Sequence, residues 1–385
     1  MRILQLGRFW KQRGGVQMHA QLLCDGLAEL GMDVTNLVAS DSLERSDSIV
    51  NGWRLVQAAC WGTYFSTAAS PDMIRQARKL HSEQPFDILH LHFPDPMSHL
   101  VSLALPKPLP RVITWHSDIV KQKKLLSLYR PFQRAEILRA RALIAPTSAH
   151  FTSSTQIPAQ YPMEQRHVIA FGMNYDSLAL TPTTDALAKK IRARAGEQLL
   201  VFALGRHVTY KGFDVLLNAM PHTQARLLLG GDGPLTEALK RQAQSLGIED
   251  RVDFVGPIPD SDLGAYYHAC DVFCLPSVTT NEAFGLVQLE AMACGKPVIC
   301  TQLHNGVNVV NPDGLTGITV PTRDPHALAS AINALELDIS RRDRLGRQAR
   351  AHALGQYSMK AMSQAHARLY EEILGQKSSL ALETS

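Results

Sequence analysis

The chain has 385 residues, of which 45% are hydrophobic and 19% are charged, and its formal net charge at pH 7 is +4. This composition excludes a disordered or fibrous chain, and the length exceeds what one hydrophobic core usually holds. The small positive excess lacks the basic stripe of a nucleic-acid-binding protein, and the sequence shows neither a signal segment nor an apolar run near the ~20 residues that span a membrane, so a cytoplasmic chain is expected.

Strand-like apolar runs alternate with helical patterns along the first half of the chain. Such alternation predicts a parallel sheet that is covered by helices on both faces. The predicted strands are residues 3–6, 34–39, 87–92, 112–116 and 143–147, and the predicted helices are residues 16–30, 71–82 and 125–139.

The second half repeats this alternation after a polar stretch at residues 181–185, which we interpret as a linker. We therefore predict one doubly wound domain over residues 1–177, a second over 178–357, and a C-terminal helix in residues 358–385 that packs back on the first. The predicted strands of the second domain are residues 199–204, 225–229, 252–255, 272–275 and 298–300, and its helices begin near Gly212, Pro234, Ser261, Gly285 and Pro325.

Two glycine-containing segments follow predicted strands. Gly14, Gly15 and Val16 close the loop after the first strand and open a helix, where free N–H groups bind anions, although a tight turn uses the same residues. Arg206 and Lys211 lie between glycines after the first strand of the second domain. Because open α/β sheets bind ligands at the carboxyl ends of their strands, these cations can converge on a diphosphate. Two solvated surface cations are the alternative.

The segment 281–290 carries two glutamates, Glu282 in a predicted loop and Glu290 in the predicted helix that follows. Eight residues of helix would separate their carboxylates by ~12 Å along the axis, farther than the ~5 to 9.5 Å of a glycosidase pair. We therefore predict that they bind hydroxyls at two ends of one ligand. The alternatives are a charge at the helix N-terminus for Glu282 and a solvated face for Glu290.

Four ordered motifs resemble those of the retaining glycosyltransferases of family four. They are GR-x4-KG at 205–212, GGDGP at 230–234, EAFGLVQLE at 282–290 and LTG-x2-VP at 315–321. The resemblance covers essentially the whole chain and implies the α/β fold called GT-B, in which two Rossmann-like, doubly wound domains face each other across a cleft. The segments HLHFP at 90–94 and TWHSDIV at 114–120 are similar to segments of bacterial mannosyltransferases that build O-antigen or exopolysaccharide.

This resemblance implies roles for residues of both domains. Arg206 and Lys211 would clamp the diphosphate of a nucleotide-sugar donor, and Gly15 would lie against that diphosphate from the other domain. His116 would lie beside the transferred sugar near its O6 and help to align donor and acceptor. A packed histidine with satisfied hydrogen bonds is the alternative for His116.

The same resemblance implies that the segment around the two glutamates binds the donor. Glu282 would contact hydroxyls of the donor sugar, together with backbone groups of Phe284, Gly285 and Leu286. Glu290 would hold the ribose. With Arg206, Lys211 and His116, Glu282 completes the catalytic set that the resemblance implies.

The predicted activity is that of a metal-independent, retaining hexosyltransferase without a cofactor. The resemblance favours mannose transfer from GDP-mannose to a lipid-linked or glycan acceptor in bacterial cell-surface polysaccharide synthesis. A UDP-hexose donor is the alternative, as is a non-catalytic nucleotide-sugar sensor, an epimerase or a phosphorylase on the same fold. Asp260 and Asp262 match a DxD metal motif, but they precede a helical pattern, and we interpret them as its N-cap.

A basic segment at residues 121–141 suggests a further partner. It forms a predicted helix in which apolar residues separate the cations, so it could rest on the anionic inner face of the cytoplasmic membrane, at ~1 kcal/mol per cation. A solvated helix face is the alternative. The segment contains one acid, Glu136, and seven cations, namely Lys121, Lys123, Lys124, Arg130, Arg134, Arg139 and Arg141.

Overall fold

The computed structural model describes residues 1–9, 15–64, 67–119, 123–282 and 284–375. The chain forms two compact units, one of Met1–Met173 with Ser358–Ser385 and the other of Asn174–Tyr357. The first boundary therefore lies after Met173, whereas the sequence pattern places it after residue 177.

Strands and helices alternate through most of the described chain. The strands are β1 (Arg2–Phe9), β2 (Asp33–Ala39), β3 (Ser46–Val50), β4 (Trp53–Ala58), β5 (Thr63–Tyr64), β6 (Thr67–Ala68), β7 (Ile88–Phe93), β8 (Arg111–Trp115), β9 (Ala142–Ala145), β10 (Arg166–Val168), β11 (Leu200–Leu204), β12 (Arg226–Gly230), β13 (Val252–Gly256), β14 (Val272–Leu275), β15 (Val298–Thr301) and β16 (Gly317–Val320). The α-helices are α1 (Gly15–Glu29), α2 (Pro71–Glu83), α3 (Pro96–Leu103), α4 (Lys123–Arg139), α5 (Ser148–Ser153), α6 (Pro182–Ala195), α7 (Phe213–Ala219), α8 (Thr236–Ser245), α9 (Asp260–Ala269), α10 (Leu286–Ala293), α11 (Gly306–Val310), α12 (Pro325–Leu337), α13 (Ile339–Gln356) and α14 (Met359–Ile373).

The main sheet of the first unit has the strand order β10-β9-β8-β7-β1-β2-β4-β3. Its neighbours pair in parallel, except that β3 runs antiparallel to β4 at the edge. Alternate residues enter different cores, since Leu4 and Leu6 pack with α2 and α3 whereas Ile3 packs with α1 and α14. Apolar residues on both faces explain why these strands appear in the sequence as continuous apolar runs.

Helix α14 closes the core of the first unit against α1. Leu23 and Leu27 of α1 share a buried cluster with Met362 and Tyr370 of α14. A Cβ added at Gly26 would lie 2.7 Å from the Cβ of Ser363, so the glycine permits the two helices to approach closely. The last helix thus belongs to the first unit although the whole second unit precedes it in the chain.

The sheet of the second unit has the strand order β13-β12-β11-β14-β15-β16, and every pair in it is parallel. Numbered within the unit, this is the doubly wound order 3-2-1-4-5-6. The direction in which successive strands are added to the sheet reverses between β11 and β14. This point is where such sheets form a crevice for a ligand.

The predicted linker at residues 181–185 is wrong, because these residues form the start of α6. The side chain of Thr181 caps the helix by accepting a hydrogen bond from the backbone N–H of Thr184, and Pro182 occupies its first turn. Asp185 forms an ion pair of 2.7 Å with Lys189 one turn later. A capping threonine followed by proline is a start signal for a helix. Among the described helices, none has both the length and the apolar character needed to cross a membrane.

Candidate active site

The loops after β11 and β14 are joined at the point where the second sheet reverses. The backbone N–H of Val278 donates to the carbonyl of Tyr210 at 2.8 Å. Gly212 adopts a left-handed conformation with φ of 68°, and a Cβ added there would lie 2.1 Å from the carbonyl oxygen of Pro276. Only glycine fits this contact without a shift of the backbone. The two loops therefore hold each other in register.

An ion pair between Lys211 and Glu282 forms the centre of this site. Lys211 Nζ donates to Glu282 Oε2 at 2.5 Å, and each residue is 9% exposed. The same Oε2 accepts a hydrogen bond from Ser277 Oγ at 3.0 Å, and the main-chain carbonyl of Glu282 accepts one from Asn305 Nδ2 at 2.7 Å. In turn, Thr301 Oγ1 donates to the carbonyl of Ser277. Groups from two segments of the sheet edge thus hold the carboxylate, and Asn305 from a third holds the backbone of Glu282.

Arg206 differs from Lys211 in exposure and in partners. The residue is exposed, and within the described ranges its guanidinium has neither a hydrogen bond nor an ion pair with another side chain. The structure therefore brings Lys211 and Glu282 into contact and leaves Arg206 open to solvent. A free guanidinium retains all its donors for a bidentate anion such as a phosphate.

The GGDGP segment supports the loop that carries Arg206. Gly231 has a φ of 103°, and a Cβ added there would lie 2.0 Å from the carbonyl oxygen of Gly205. The backbone N–H of His207 donates to the carbonyl of Asp232 at 2.9 Å. Gly233 is close to His207 in the same way, since its added Cβ would lie 2.6 Å from the His207 carbonyl oxygen. These glycines thus let the two backbones touch.

Phe284, Gly285 and Leu286 form the entrance to α10. Gly285 caps the helix with φ of 66°, where an added Cβ would lie 2.6 Å from Cδ2 of Leu275. The ring of Phe284 lies edge-on to that of Tyr357, with centroids 6.0 Å apart, and Leu286 is 42% exposed. Because α10 begins only at Leu286, the predicted eight residues of helix between the two glutamates are wrong.

Glu290 lies inside α10 and has a protein partner that the sequence did not reveal. The buried Tyr267 of α9 donates its hydroxyl to Glu290 Oε2 at 2.6 Å. Burial raises the pKa of Glu290 above its ordinary value, against the opposing effect of the hydrogen bond from Tyr267. The solvated-face alternative for Glu290 is therefore wrong. Asp260 and Asp262 occupy the first turn of α9 without making a side-chain cap, so the N-cap interpretation of this pair is wrong too.

In the first unit, Gly15 is the first residue of α1, and the preceding Gly14 lies outside the described residues. His116 directly follows β8, and its backbone N–H donates to the carbonyl of Phe93 at 2.9 Å. Its Nε2 lies 3.0 Å from Nδ1 of His92, which makes a hydrogen bond between the two rings. Burial lowers the pKa of His116 to about 3, so the ring is neutral at pH 7.

His19, His90 and His92 surround His116 and were not singled out as functional residues by the sequence analysis. His90 is fully satisfied, with Nδ1 at 2.6 Å from the Tyr370 hydroxyl and Nε2 at 2.8 Å from Thr114 Oγ1. Both ring nitrogens of the buried His19 lack a hydrogen-bond partner among the described residues. The sequence does contain a signal for two of them. In the HLH pattern at 90–92, His90 and His92 are alternate residues of a predicted strand, and such residues share one face.

Helix α4 carries the basic segment that was predicted to contact membrane. Residues 120–122, and with them Lys121, lie outside the described residues, as do the side chains of residues 123–125. Glu136 is buried, and its carboxylate lies 3.4 Å from Arg111 Nε and accepts a hydrogen bond from Ser102 Oγ. The exposed face of the helix includes Leu128, which is 73% exposed, and Phe132, which is 60% exposed.

Comparison with solved structures defines the class of fold. The crystal structure of HepE from Anabaena in complex with UDP matches with a TM-score of 0.71 and 21% sequence identity, over 97% of this chain and 100% of the HepE chain. Together with the two parallel, doubly wound sheets, this match shows the GT-B fold, so the α/β fold class predicted from the sequence is confirmed.

Sequence comparison then gives the family. Residues 13–158 match the family described as "Glycosyltransferase Family 4", and residues 185–352 match "Glycosyl transferases group 1". D-rhamnosyltransferase WbpZ from Pseudomonas aeruginosa is 32% identical over 340 residues, which cover 88% of this chain and 87% of the relative. O-antigen chain mannosyltransferase C from Escherichia coli is 27% identical over 366 residues, which cover 95% of this chain and 96% of the relative. The chain belongs to the family-four glycosyltransferases.

The buried ion pair predicts a strongly non-additive pair of substitutions. Lys211→Met leaves the Glu282 carboxylate buried without its cation, so we expect the free energy of unfolding to fall by about 3 kcal/mol. Adding Glu282→Gln removes that charge, and the double variant should regain at least about 1 kcal/mol in urea unfolding. Lys240→Met breaks the exposed pair with Glu237 and serves as the control, with a change below about 0.5 kcal/mol. Additive effects of the two substitutions would contradict this reading.

Glu290→Gln should raise stability at neutral pH. The raised pKa means that folding disfavours the ionised carboxylate, so stability is lost as the pH rises through the pKa of the folded state. Glutamine keeps an acceptor for Tyr267 but carries no charge. We expect a higher melting temperature than wild type at pH 7, with the difference closing as the pH falls below the ordinary glutamate pKa of ~4.3. If the melting temperatures of Glu290→Gln and wild type differed by the same amount at every pH, the charge of Glu290 would not be the cause.

Proposed function

We propose that the chain is a metal-independent, retaining hexosyltransferase that transfers mannose from GDP-mannose. The acceptor is a lipid-linked or other glycan in the synthesis of bacterial cell-surface polysaccharide. The single observation that carries the proposal is the Lys211–Glu282 ion pair at the sheet reversal, in the same loop as Arg206, whose guanidinium has no side-chain partner among the described residues. The names of the relatives, an O-antigen mannosyltransferase and a rhamnosyltransferase, support the sugar class and the setting.

The cations would serve the leaving group. When the bond between the anomeric carbon and the diphosphate breaks, negative charge builds on the phosphate and positive charge on the sugar. Arg206, whose guanidinium has no side-chain partner in the described part of the chain, binds the diphosphate, and Lys211 adds a fixed positive charge beside it. Fixed charges aimed at the developing charge lower the barrier without rearranging during the reaction.

Glu282 acts on the sugar as a hydrogen-bond acceptor. Its Oε2 is already engaged by Lys211 and Ser277, so the carboxylate is held in place and does not serve as a free nucleophile. Its hydrogen bonds to sugar hydroxyls would position the anomeric carbon over the leaving phosphate. The acceptor hydroxyl then attacks from the face of the leaving group, which receives the proton, and the configuration is retained.

The remaining predicted residues complete the proposal. Glu290 would bind the ribose through its second carboxylate oxygen, and the backbones of Phe284, Gly285 and Leu286 would contact the donor at the start of α10. His116 would contact the transferred sugar. The neutral ring of His116 suits a hydrogen bond to a sugar hydroxyl, since a neutral imidazole has both a donor and an acceptor nitrogen. Gly15 would approach the diphosphate with the N-terminal N–H groups of α1.

A UDP-hexose is the second candidate donor. The observation that favours it is the structural match to HepE, whose crystal structure contains UDP. The donor-binding experiment therefore compares GDP-mannose with UDP-hexoses to determine the base of the nucleotide. A nucleotide-sugar sensor on the same fold would bind a donor but would not transfer the sugar.

Donor binding and transfer test this proposal. GDP-mannose should raise the melting temperature of the chain more than UDP-hexoses do, because a ligand that binds the native state stabilises it. Arg206→Ala should weaken donor binding at least about tenfold, as expected for the loss of a charged hydrogen bond. Glu282→Gln should lower the rate of sugar transfer at least about tenfold. Arg241→Ala, an exposed cation of α8, is the control.

Two outcomes of that experiment would contradict the proposal. Equal donor affinity in the Arg206→Ala and Arg241→Ala variants would remove Arg206 from the donor site. Donor binding without transfer to a glycan or lipid-linked acceptor, in wild type and Glu282→Gln alike, would favour the sensor. A larger shift with a UDP-hexose than with GDP-mannose would assign the second candidate donor.

We further propose that the exposed face of α4 contacts anionic membrane. Leu128 and Phe132 lie one turn apart and are both largely exposed, and the exposed Arg139 follows on the same face two turns after Phe132. Apolar side chains flanked by cations are typical of helices that lie on a membrane surface. This contact would bring the enzyme to a lipid-linked acceptor.

Vesicle sedimentation tests the membrane contact. At low salt the chain should sediment with vesicles that contain anionic lipid and stay in solution with neutral ones. Binding should weaken as salt is raised, because the electrostatic part is screened. Replacing Leu128 and Phe132 with serine should reduce the bound fraction several-fold, whereas Leu337→Ser, which alters an exposed leucine of the second unit, should not. Equal sedimentation of the serine variant and wild type would overturn the contact.

A further inference from the structure

Three histidines of the first unit converge from three different elements. His19 lies in α1, His92 in β7, and His116 directly after β8. Each offers a ring nitrogen, and these nitrogens all lie within 4.8 Å of one another. The closest pair, His92 Nδ1 and His116 Nε2, is 3.0 Å apart. The centroid of the His19 ring lies 5.5 Å from that of His92 and 5.2 Å from that of His116.

The hydrogen bonds of this group are incomplete. His19 and His92 are each 3% exposed, yet both nitrogens of His19 and Nε2 of His92 lack partners among the described residues. A buried polar atom without a partner costs about 1 to 3 kcal/mol. His90 lies in the same cluster and shows the contrast, because both its nitrogens are hydrogen-bonded. Packing alone therefore does not explain the arrangement of the other three rings.

We propose that His19, His92 and His116 form a binding site for a divalent transition-metal ion of the class that prefers imidazole ligands. Such ions include Zn²⁺, Co²⁺, Ni²⁺ and Cu²⁺. Three histidine nitrogens leave a fourth position for water or another ligand. Among the described residues, no carboxylate belongs to this group, which disfavours Mg²⁺ and Ca²⁺.

The distances are compatible with such an ion after small ring movements. A tetrahedral site with metal-to-nitrogen bonds of ~2.0 to 2.1 Å requires nitrogens roughly 3.3 Å apart. The His92–His116 pair is already near that spacing, and the ion would replace the hydrogen bond between these rings. His19 has no hydrogen bond to lose when its ring turns toward the ion. The partly exposed His116 gives the ion a route from solvent.

The site does not depend on the proposed hexosyl transfer. It would bind an ion whether or not the chain transfers mannose, and the proposed chemistry uses no metal. If both proposals hold, a bound ion withdraws His116 from the sugar, so stoichiometric Zn²⁺ should inhibit transfer. Metal binding is therefore measured directly and separately from activity.

Cobalt and zinc titrations of the full chain without a polyhistidine tag test the site. The metal-stripped protein should bind one Co²⁺ per chain, with the visible absorption bands of a nitrogen-ligated ion, and Zn²⁺ should displace it. His19→Gln and His92→Gln should each weaken Co²⁺ binding by on the order of tenfold or more. His326→Gln is the control, because it removes an exposed histidine whose ring lies 4.6 Å from His222 and could bind metal on the surface.

Melting temperatures without metal check that the variants fold, and Zn²⁺ should raise the melting temperature of wild type but not of His19→Gln. If His19→Gln does not fold, His92→Gln gives the same comparison. Absence of stoichiometric Co²⁺ binding to wild type would overturn the site. So would equal affinity in wild type and both cluster variants, or loss of binding in His326→Gln alone.

Discussion

The order of strands in the second sheet is the constraint on which the candidate site depends. Lys211 and Glu282 are 71 residues apart in sequence, and they meet because β11 and β14 are neighbours at the reversal of the sheet. Removing two charges from water has a large desolvation penalty, which attraction offsets only when the geometry is good and the remaining hydrogen bonds are made. Ser277 donates to the carboxylate, and Asn305 donates to the main-chain carbonyl of Glu282 and fixes its backbone. The ion pair is thus better evidence of an organised binding surface than of a stability gain.

Backbone contacts extend this organisation beyond the ion pair. Gly212 lies against the carbonyl of Pro276, and Gly231 lies against that of Gly205, in both cases where a side chain would collide. These contacts connect the ends of β11, β12 and β14 into one surface. Donors held in place before a ligand arrives lose little freedom on binding, which favours both affinity and catalysis. The glycines of the sequence motifs therefore shape the scaffold, and the charged residues between them supply the interactions.

The sequence predicted the fold in outline because buried parallel strands are continuous apolar runs, as at β9, β11 and β14. It failed where a few polar residues are compatible with either a loop or a helix start, as at Thr181, which caps α6 by accepting a hydrogen bond from the N–H of Thr184. The sequence also did not predict which side chains from different elements contact each other. Tyr267 of α9 donates a hydrogen bond to Glu290 of α10, and residue spacing within one helix does not predict a contact between two helices.

The Lys211–Glu282 ion pair and the histidine cluster of the first unit differ in how many of their polar atoms have hydrogen-bond partners. Glu282 Oε2 accepts hydrogen bonds from both Lys211 and Ser277, so the ion pair is held in place without a ligand and presents a defined surface to one. In the first unit, His90 and His92 share one face of β7 and His116 follows β8, whereas His19 enters from α1 and its nitrogens lack partners among the described residues. An apolar side chain at position 19 would avoid the free-energy cost of two buried nitrogens without partners. Its imidazole is therefore better explained by a ligand that uses its lone pair than by packing.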